Sequence, residues 1–198
     1  MTDAAPAIDP ERVALLMMDY QQAIVAMIDD SDALVTRAAR AIDLVRGRRG
    51  HVGYVRVAFT DADLQHFPAT SSMGARIASG AQAFHDDSPT TQIDARVAPH
   101  EGDIIVRKTR VGAFSTTDLA QQLADRGIDT LILAGISTSG VVLSTVRDGA
   151  DRDYALYVLS DATADGDAAV HACLMEKVFP RQAKVITVAE LEVLLAAD

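Results

Sequence analysis

Residues 131–160 read LILAGISTSGVVLSTVRDGADRDYALYVLS, and the order of apolar, small and charged residues in this stretch decides the fold. An apolar run, Thr130–Ala134, leads into the small polar turn Gly135-Ile136-Ser137-Thr138-Ser139-Gly140. A helical pattern follows to about Asp151, and a second apolar run covers Tyr154–Leu159. Strand, turn, helix and strand in that order make a βαβ unit. Its turn gathers backbone N–H groups and the positive end of a helix at the carboxyl edge of a strand. Proteins of the α/β class place ligands and oxyanions there.

Outward from this unit the same alternation repeats. Apolar runs of strand length occur at Val13–Met18, Val52–Ala58, Ile104–Val106 and Val185–Val188. None alternates strictly, as expected for strands covered on both faces. Between them, Leu34, Val35, Ala38, Ala41, Ile42 and Val45 recur at three- and four-residue spacing, predicting a helix over Ser31–Gly47 that ends at Gly47 or Gly50. Ser115-Thr116-Thr117-Asp118 has capping-box spacing; Leu119 and Leu123 then form one face, and Gly127 stops the run. Further helices are expected at Gly140–Arg152, Asp167–Val178 and Ala189–Ala197. The pattern predicts one domain over residues 1–198: a three-layer, doubly wound, mainly parallel sheet of about six strands. Thr60–Pro99 is the irregular part and reads as a lid or a contact surface. Its Met73, Ile77 and Phe84 are either contacts between copies of the chain or cover for the sheet.

At 198 residues and 49% hydrophobic composition the chain is long enough for one sizeable core. Aspartate and glutamate number 28 against 18 lysine and arginine, a formal net charge of −10. That balance argues against nucleic acid and anionic membranes as partners, which need a basic footprint, but not against a small anionic substrate held by a local cation. One cysteine, Cys173, allows no intrachain disulfide and fits a reducing compartment. The opening MTDAAPAIDPER has no secretory pattern and no apolar run reaches bilayer-spanning length, so a cytoplasmic location is expected.

Several residues could carry chemistry. Asp19 closes the first apolar run, where a carboxylate points into the crevice at the sheet edge; an N-cap or solvated loop residue is the alternative. Lys108 follows the third run and could hold a carboxylate ionised or stabilise developing charge, or simply be solvated. In the turn after Thr130–Ala134, the backbone of Ser137, Thr138 and Gly140 could form an oxyanion hole, or the small residues could serve close packing only. Ser139 is the best serine to act as a nucleophile, but serines also collect in turns for structural reasons. Ser144 is expected to face helix packing. Cys173, on a stripe with Val170, Leu174 and Val178, is expected to be a buried core thiol. Asp61, Asp63 and His66 read as solvated loop residues, as do His85 and His100. No metal or cofactor is expected, and Gly135–Gly140 lacks the Lys-Ser/Thr of a phosphate loop. Arg147, Asp148, Asp151, Arg152 and Asp153 read as a charged helix face, and Asp161–Asp165 as a structural turn.

Taken together, these segments resemble the isochorismatase-like, or cysteine hydrolase, superfamily, over almost the whole chain. Asp19-Tyr20-Gln21 is similar to the family's Asp-x-Gln at the end of the first strand; Lys108 with Phe114 and Ser115 is similar to its lysine and aromatic-small turn. The 135–141 turn is similar to its strand–Gly-x-x-(Ser/Thr)-x-x-Cys–helix. The resemblance implies the fold, a small-molecule substrate and a homo-oligomer (dimer or tetramer). It implies Asp19 as the proton-transferring group, Lys108 as its partner, Gln21 and Phe114 in substrate binding, and a cis peptide just before Thr138. Counting from Gly135 and Thr138, the nucleophile position holds Val141, which cannot attack a substrate. The resemblance therefore implies a hydrolase acting on a vinyl ether or C–N bond without a cysteine nucleophile. The alternative is an inactive member that binds a small molecule or serves as a scaffold.

Overall fold

A computed structural model describes residues 8–196 of the chain. Six strands, β1 (Val13–Met18), β2 (His51–Val57), β3 (Ile104–Lys108), β4 (Thr130–Gly135), β5 (Ala155–Leu159) and β6 (Lys184–Ile186), pair in the order β3-β2-β1-β4-β5-β6. Every pairing is parallel. The helices are α1 (Gln22–Val25), α2 (Ser31–Gly47), α3 (Asp61–Gln65), α4 (Ser72–Ala78), α5 (Leu119–Asp125), α6 (Leu143–Asp151), α7 (Ala168–Cys173) and α8 (Val188–Ala196). None is long and apolar enough to cross a membrane. The first seven residues of the MTDAAPAIDPER opening and Ala197, at the expected end of the last helix, lie outside the described residues.

All six residues of β1 are buried, so its unbroken apolar run is explained by cover on both sides. Val13, Leu15 and Met17 face one core with α2 and α8, while Ala14, Leu16 and Met18 face the other with α5 and α6. The predicted α2 stripe is the buried face of that helix. Each large aliphatic side chain buried there contributes about 1.5–3 kcal/mol. β1 sits where the strand order turns back, flanked by β2 and β4. The carboxyl ends of β1 and β4 therefore open the crevice in which sheets of this topology bind ligands.

Element ends differ from the sequence reading by a few residues, each time for a local reason. β3 runs on through Arg107 and Lys108 because β2 continues beside it, with Val57 opposite Lys108. The expected helix from Gly140 begins as a π-helical turn, Thr138–Val142, before α6. The capping box at Ser115 is not formed: Thr117 Oγ1 accepts from the Leu119 N–H, and α5 starts at Leu119. Cys173 is exposed rather than buried. α7 passes into a second π-helical turn, Leu174–Val178, and the changed winding buries Leu174 and Met175 while leaving Val170 and Cys173 outside. The 60–99 stretch is built from α3, α4 and short 3₁₀ turns.

Candidate active site

Asp19 is the first residue beyond β1, with its N–H donating to the Val55 carbonyl at 2.8 Å and a left-handed φ of 59°. Aspartate tolerates that conformation better than most residues. The turn buries the side chain, which is 5% exposed, and Lys108 at the end of β3 is buried with it. Lys108 Nζ lies 2.9 Å from Asp19 Oδ2 and also donates to the carbonyls of Val111 (3.0 Å) and Arg110 (3.3 Å). All three ammonium donors are thus engaged. The second Asp19 oxygen, Oδ1, is buried without a partner among the described residues. Burial pushes the Asp19 carboxyl above the ordinary carboxylate range, and the Lys108 ammonium offsets only part of that rise.

Asp19 and Lys108 line a cavity of about 470 Å³ together with Ser137, Gly140 and Val141. Ile24, Met27, Val57, Ile136 and Val111 extend its apolar wall. The 60–99 stretch adds Ser72, Met73, Arg76, Ile77 and Phe84, and Ile28 and Gly166 complete the lining. Met73, Ile77 and Phe84, whose place was open in the sequence, therefore wall this cavity. Arg76 was not singled out by the sequence, where it stands alone among small residues. It lines the cavity, and no carboxylate among the described residues pairs with it.

The turn after β4 differs in detail from the expectation. The Thr138 N–H donates to the Ala164 carbonyl (2.8 Å), the Ser139 N–H to Asp165 Oδ2 (2.7 Å), and the Gly140 N–H to the Ser137 carbonyl (3.2 Å). Thr138 and Gly140 thus have no free amide to offer a ligand. The Ser137 N–H has no partner among the described residues, and the Val141 N–H has none outside its own turn. Both residues line the cavity. The non-proline cis peptide is Ile136–Ser137, one residue earlier than expected. Gly135 is required where it stands: a Cβ there would lie 2.9 Å from Val142 Cγ2 and 3.1 Å from Met18 Cβ. Thr138 is fully buried, with Oγ1 2.8 Å from His171 Nδ1.

Other candidates lie elsewhere or are already engaged. Gln21 is buried and holds backbone, not a cavity wall: Nε2 donates to the carbonyls of Val57 (2.9 Å) and Thr91 (2.7 Å), and Oε1 accepts from the Val57 N–H (2.7 Å). It pins the end of β2 to the 60–99 stretch. Phe114 packs in the core on the α5–α6 side, stacked on Tyr154 with ring centroids 6.0 Å apart, and Val111 takes the place at the cavity. Ser139 is exposed and outside the cavity lining. Asp63 caps α3 through Thr60 and pairs with Arg107 at 2.6 Å. Among the described residues no group of three or more His, Cys, Asp or Glu side chains could hold a metal ion.

Comparison with known proteins bears on the whole chain. The model of the isochorismatase domain family matches residues 13–190. The isochorismatase family protein YwoC of Bacillus subtilis (strain 168) is 33% identical over 185 residues, covering 92% of this chain and 94% of its own. The phenazine biosynthesis protein PhzD of Pseudomonas fluorescens is 33% identical over 189 residues, covering 93% of this chain and 86% of its own. A solved structure of an isochorismatase family protein from Burkholderia thailandensis superposes with a TM-score of 0.83 at 26% identity, over 98% of this chain and all of that one (100%).

Proposed function

The chain belongs to the isochorismatase family, and from that premise we propose that it hydrolyses a small anionic molecule without a covalent enzyme intermediate. The observation that carries this reading is the free Oδ1 of Asp19 inside a largely apolar cavity, in a carboxyl whose pKa burial has raised. A carboxyl of this kind holds a proton at higher pH than a solvated one and can deliver it to substrate.

For a vinyl ether, Asp19 Oδ1 gives its proton to the terminal vinyl carbon, leaving an oxocarbenium ion and a carboxylate. Lys108 stabilises that carboxylate through Oδ2. Water adds to the cationic carbon as Asp19 takes back a proton, and the hemiketal collapses to a ketone and an alcohol. The Ser137 and Val141 amides are the donors placed to hold an oxygen of the substrate. Arg76, a cation lining the cavity with no carboxylate partner among the described residues, favours an anionic substrate in a chain of net charge −10. Gln21 serves this site by fixing its walls, and Phe114 by packing behind it.

A second reading is favoured by Val141, which is 2% exposed and presents methyls where the resemblance puts a thiolate. On that reading the protein binds its ligand without converting it. Turnover of a panel of vinyl ethers, amides and esters separates the two. Conversion abolished by Asp19→Asn supports the hydrolase, and ligand-induced thermal stabilisation with no conversion on any class supports the binding protein.

A further inference from the structure

We infer that His171 is a positioning residue of this site: its neutral imidazole accepts a hydrogen bond from the Thr138 hydroxyl and so fixes the turn that presents the Ser137 and Val141 amides to the cavity. The inference rests on the functional reading above for its catalytic consequence, but not for its structural content.

The geometry is specific about the direction of the bond. Thr138 is fully buried, and the only hydrogen-bond partner of its Oγ1 among the described residues is His171 Nδ1, at 2.8 Å. A buried hydroxyl hydrogen needs an acceptor. Nδ1 is the one in reach, so it carries the lone pair and the proton sits on Nε2. Two further bonds tie the same turn to the segment leading into α7: the Thr138 N–H to the Ala164 carbonyl, and the Ser139 N–H to Asp165. The His171 contact is the one of the three that depends on a titratable donor–acceptor choice.

His171 is half-buried and lines a second cavity of about 300 Å³ that shares Met27, Ile28 and Gly166 with the first. The charged groups around it are Asp165 in the preceding segment, Asp29 across that cavity and Asp167 at the start of its own helix; no Lys or Arg among the described residues lines the cavity. Burial lowers the imidazole pKa, with Asp165 opposing, which keeps the ring neutral at neutral pH. Once protonated, Nδ1 becomes a donor, and the Thr138 hydroxyl must rotate to accept from it. The hydroxyl hydrogen then loses its acceptor inside a packed site, so the tie between His171 and the turn is reversed and weakened.

The test uses the intact protein with 15N-labelled histidine and backbone amides, and needs no substrate. The expected results are an Nε2–H tautomer for His171 at pH 7.5, and Ser137 and Val141 amide resonances that shift on acidification with the His171 midpoint. Thr138→Val, which keeps shape and removes the hydroxyl, should uncouple those amides from the His171 titration. His171→Asn, whose side chain can still accept from Thr138, should keep the wild-type amide positions and lose the pH response. An Nδ1–H tautomer, or amides that ignore the His171 titration in the wild type, would overturn the inference. If a substrate is found, His171→Ala should lower kcat at least tenfold with KM changed less than threefold, and adding Thr138→Val should cost nothing more. Equal and additive losses in the two single variants would also overturn it. Absence of turnover on every substrate class would sink the hydrolase reading while leaving the resonance data to decide this one.

Discussion

The Lys108 ammonium meets only one oxygen of Asp19: Oδ2 lies 2.9 Å from Nζ, while Oδ1 stays buried and unpartnered in the cavity. One carboxyl group is thereby divided between an anchored oxygen and one with no partner among the described residues. Lys108 lowers the Asp19 pKa and burial raises it, with burial the larger effect. If Asp19 acts as the acid, kcat/KM falls as pH rises through its folded-state pKa. Lys108→Met removes the lowering influence, so that limb should move to higher pH. A limb that moves down, or stays still, argues that Asp19 is not the titrating acid.

The same shift has a stability counterpart. A carboxyl whose folded pKa is raised contributes stability that is fully present below its unfolded value, near 3.8, and lost as pH rises through the folded value. Asp63, Asp94, Asp129 and Asp165, with lowered pKa values, act in the opposite sense. The difference between wild type and Asp19→Asn in chemical denaturation at a series of pH values isolates Asp19. Wild type should lose stability relative to the variant as pH rises above about 4.

Arg76 lines the cavity, and no carboxylate among the described residues pairs with it. Arg76→Gln should raise KM for anionic substrates roughly 10- to 100-fold, in line with a charged hydrogen bond of about 1.5–3 kcal/mol. It should leave kcat and the melting temperature nearly unchanged. An equal loss with neutral substrates would show that Arg76 shapes the cavity rather than reading charge.

Gln21 holds three backbone groups in a buried position. Gln21→Ala should cost about 2–4 kcal/mol, because each lost bond is worth about 1 kcal/mol and the partners stay buried. For a chain of this size that is a fall of roughly 4–16 °C in melting temperature. A shift of a degree or less in calorimetry would show that the β2 end does not need this pin.

Val141→Cys is close to volume-conserving and should cost less than about 1.5 kcal/mol. Its thiol would sit at the start of a helix beside the Ser137 amide, surroundings that lower a thiol pKa. Made in a Cys173→Ser background, because Cys173 is exposed and would react on its own, the variant should give an acylation burst with an activated ester. A folded variant without a burst would show that the turn is not arranged for acyl transfer.

The sheet was legible because strands covered on both faces must be continuously apolar, and β1 and β4 are. Asp19 and Lys108 were legible as polar residues closing such runs. Phe114 was misplaced because linear spacing does not say which face of the sheet a turn crosses; the loop after β3 brings Val111 to the cavity and sends the ring into the core. Cys173 was misplaced because the stripe through Val170 assumed uniform winding, which the π-helical turn at Leu174 interrupts. Of the expected amide donors Ser137 stays free while Thr138 and Gly140 are taken up, because their pairing with Ala164 and with the Ser137 carbonyl has no signature in residue type. Arg76 was passed over because nothing in its neighbours marks the place where α4 lies.

The upper wall of the cavity comes from a stretch joined to the sheet by the Gln21 side chain, by backbone bonds at Phe59, Tyr20 and Gln22 and by the pairs Arg56–Asp86 and Arg107–Asp63, whereas Asp19 grows directly out of β1. On the reading proposed above, choice of substrate and proton transfer therefore rest on separate pieces of the chain. Swapping Met73, Ile77 or Phe84 re-tailors the glove while the hand inside it keeps its grip, which is how one scaffold could be inherited by catalysts with unrelated appetites.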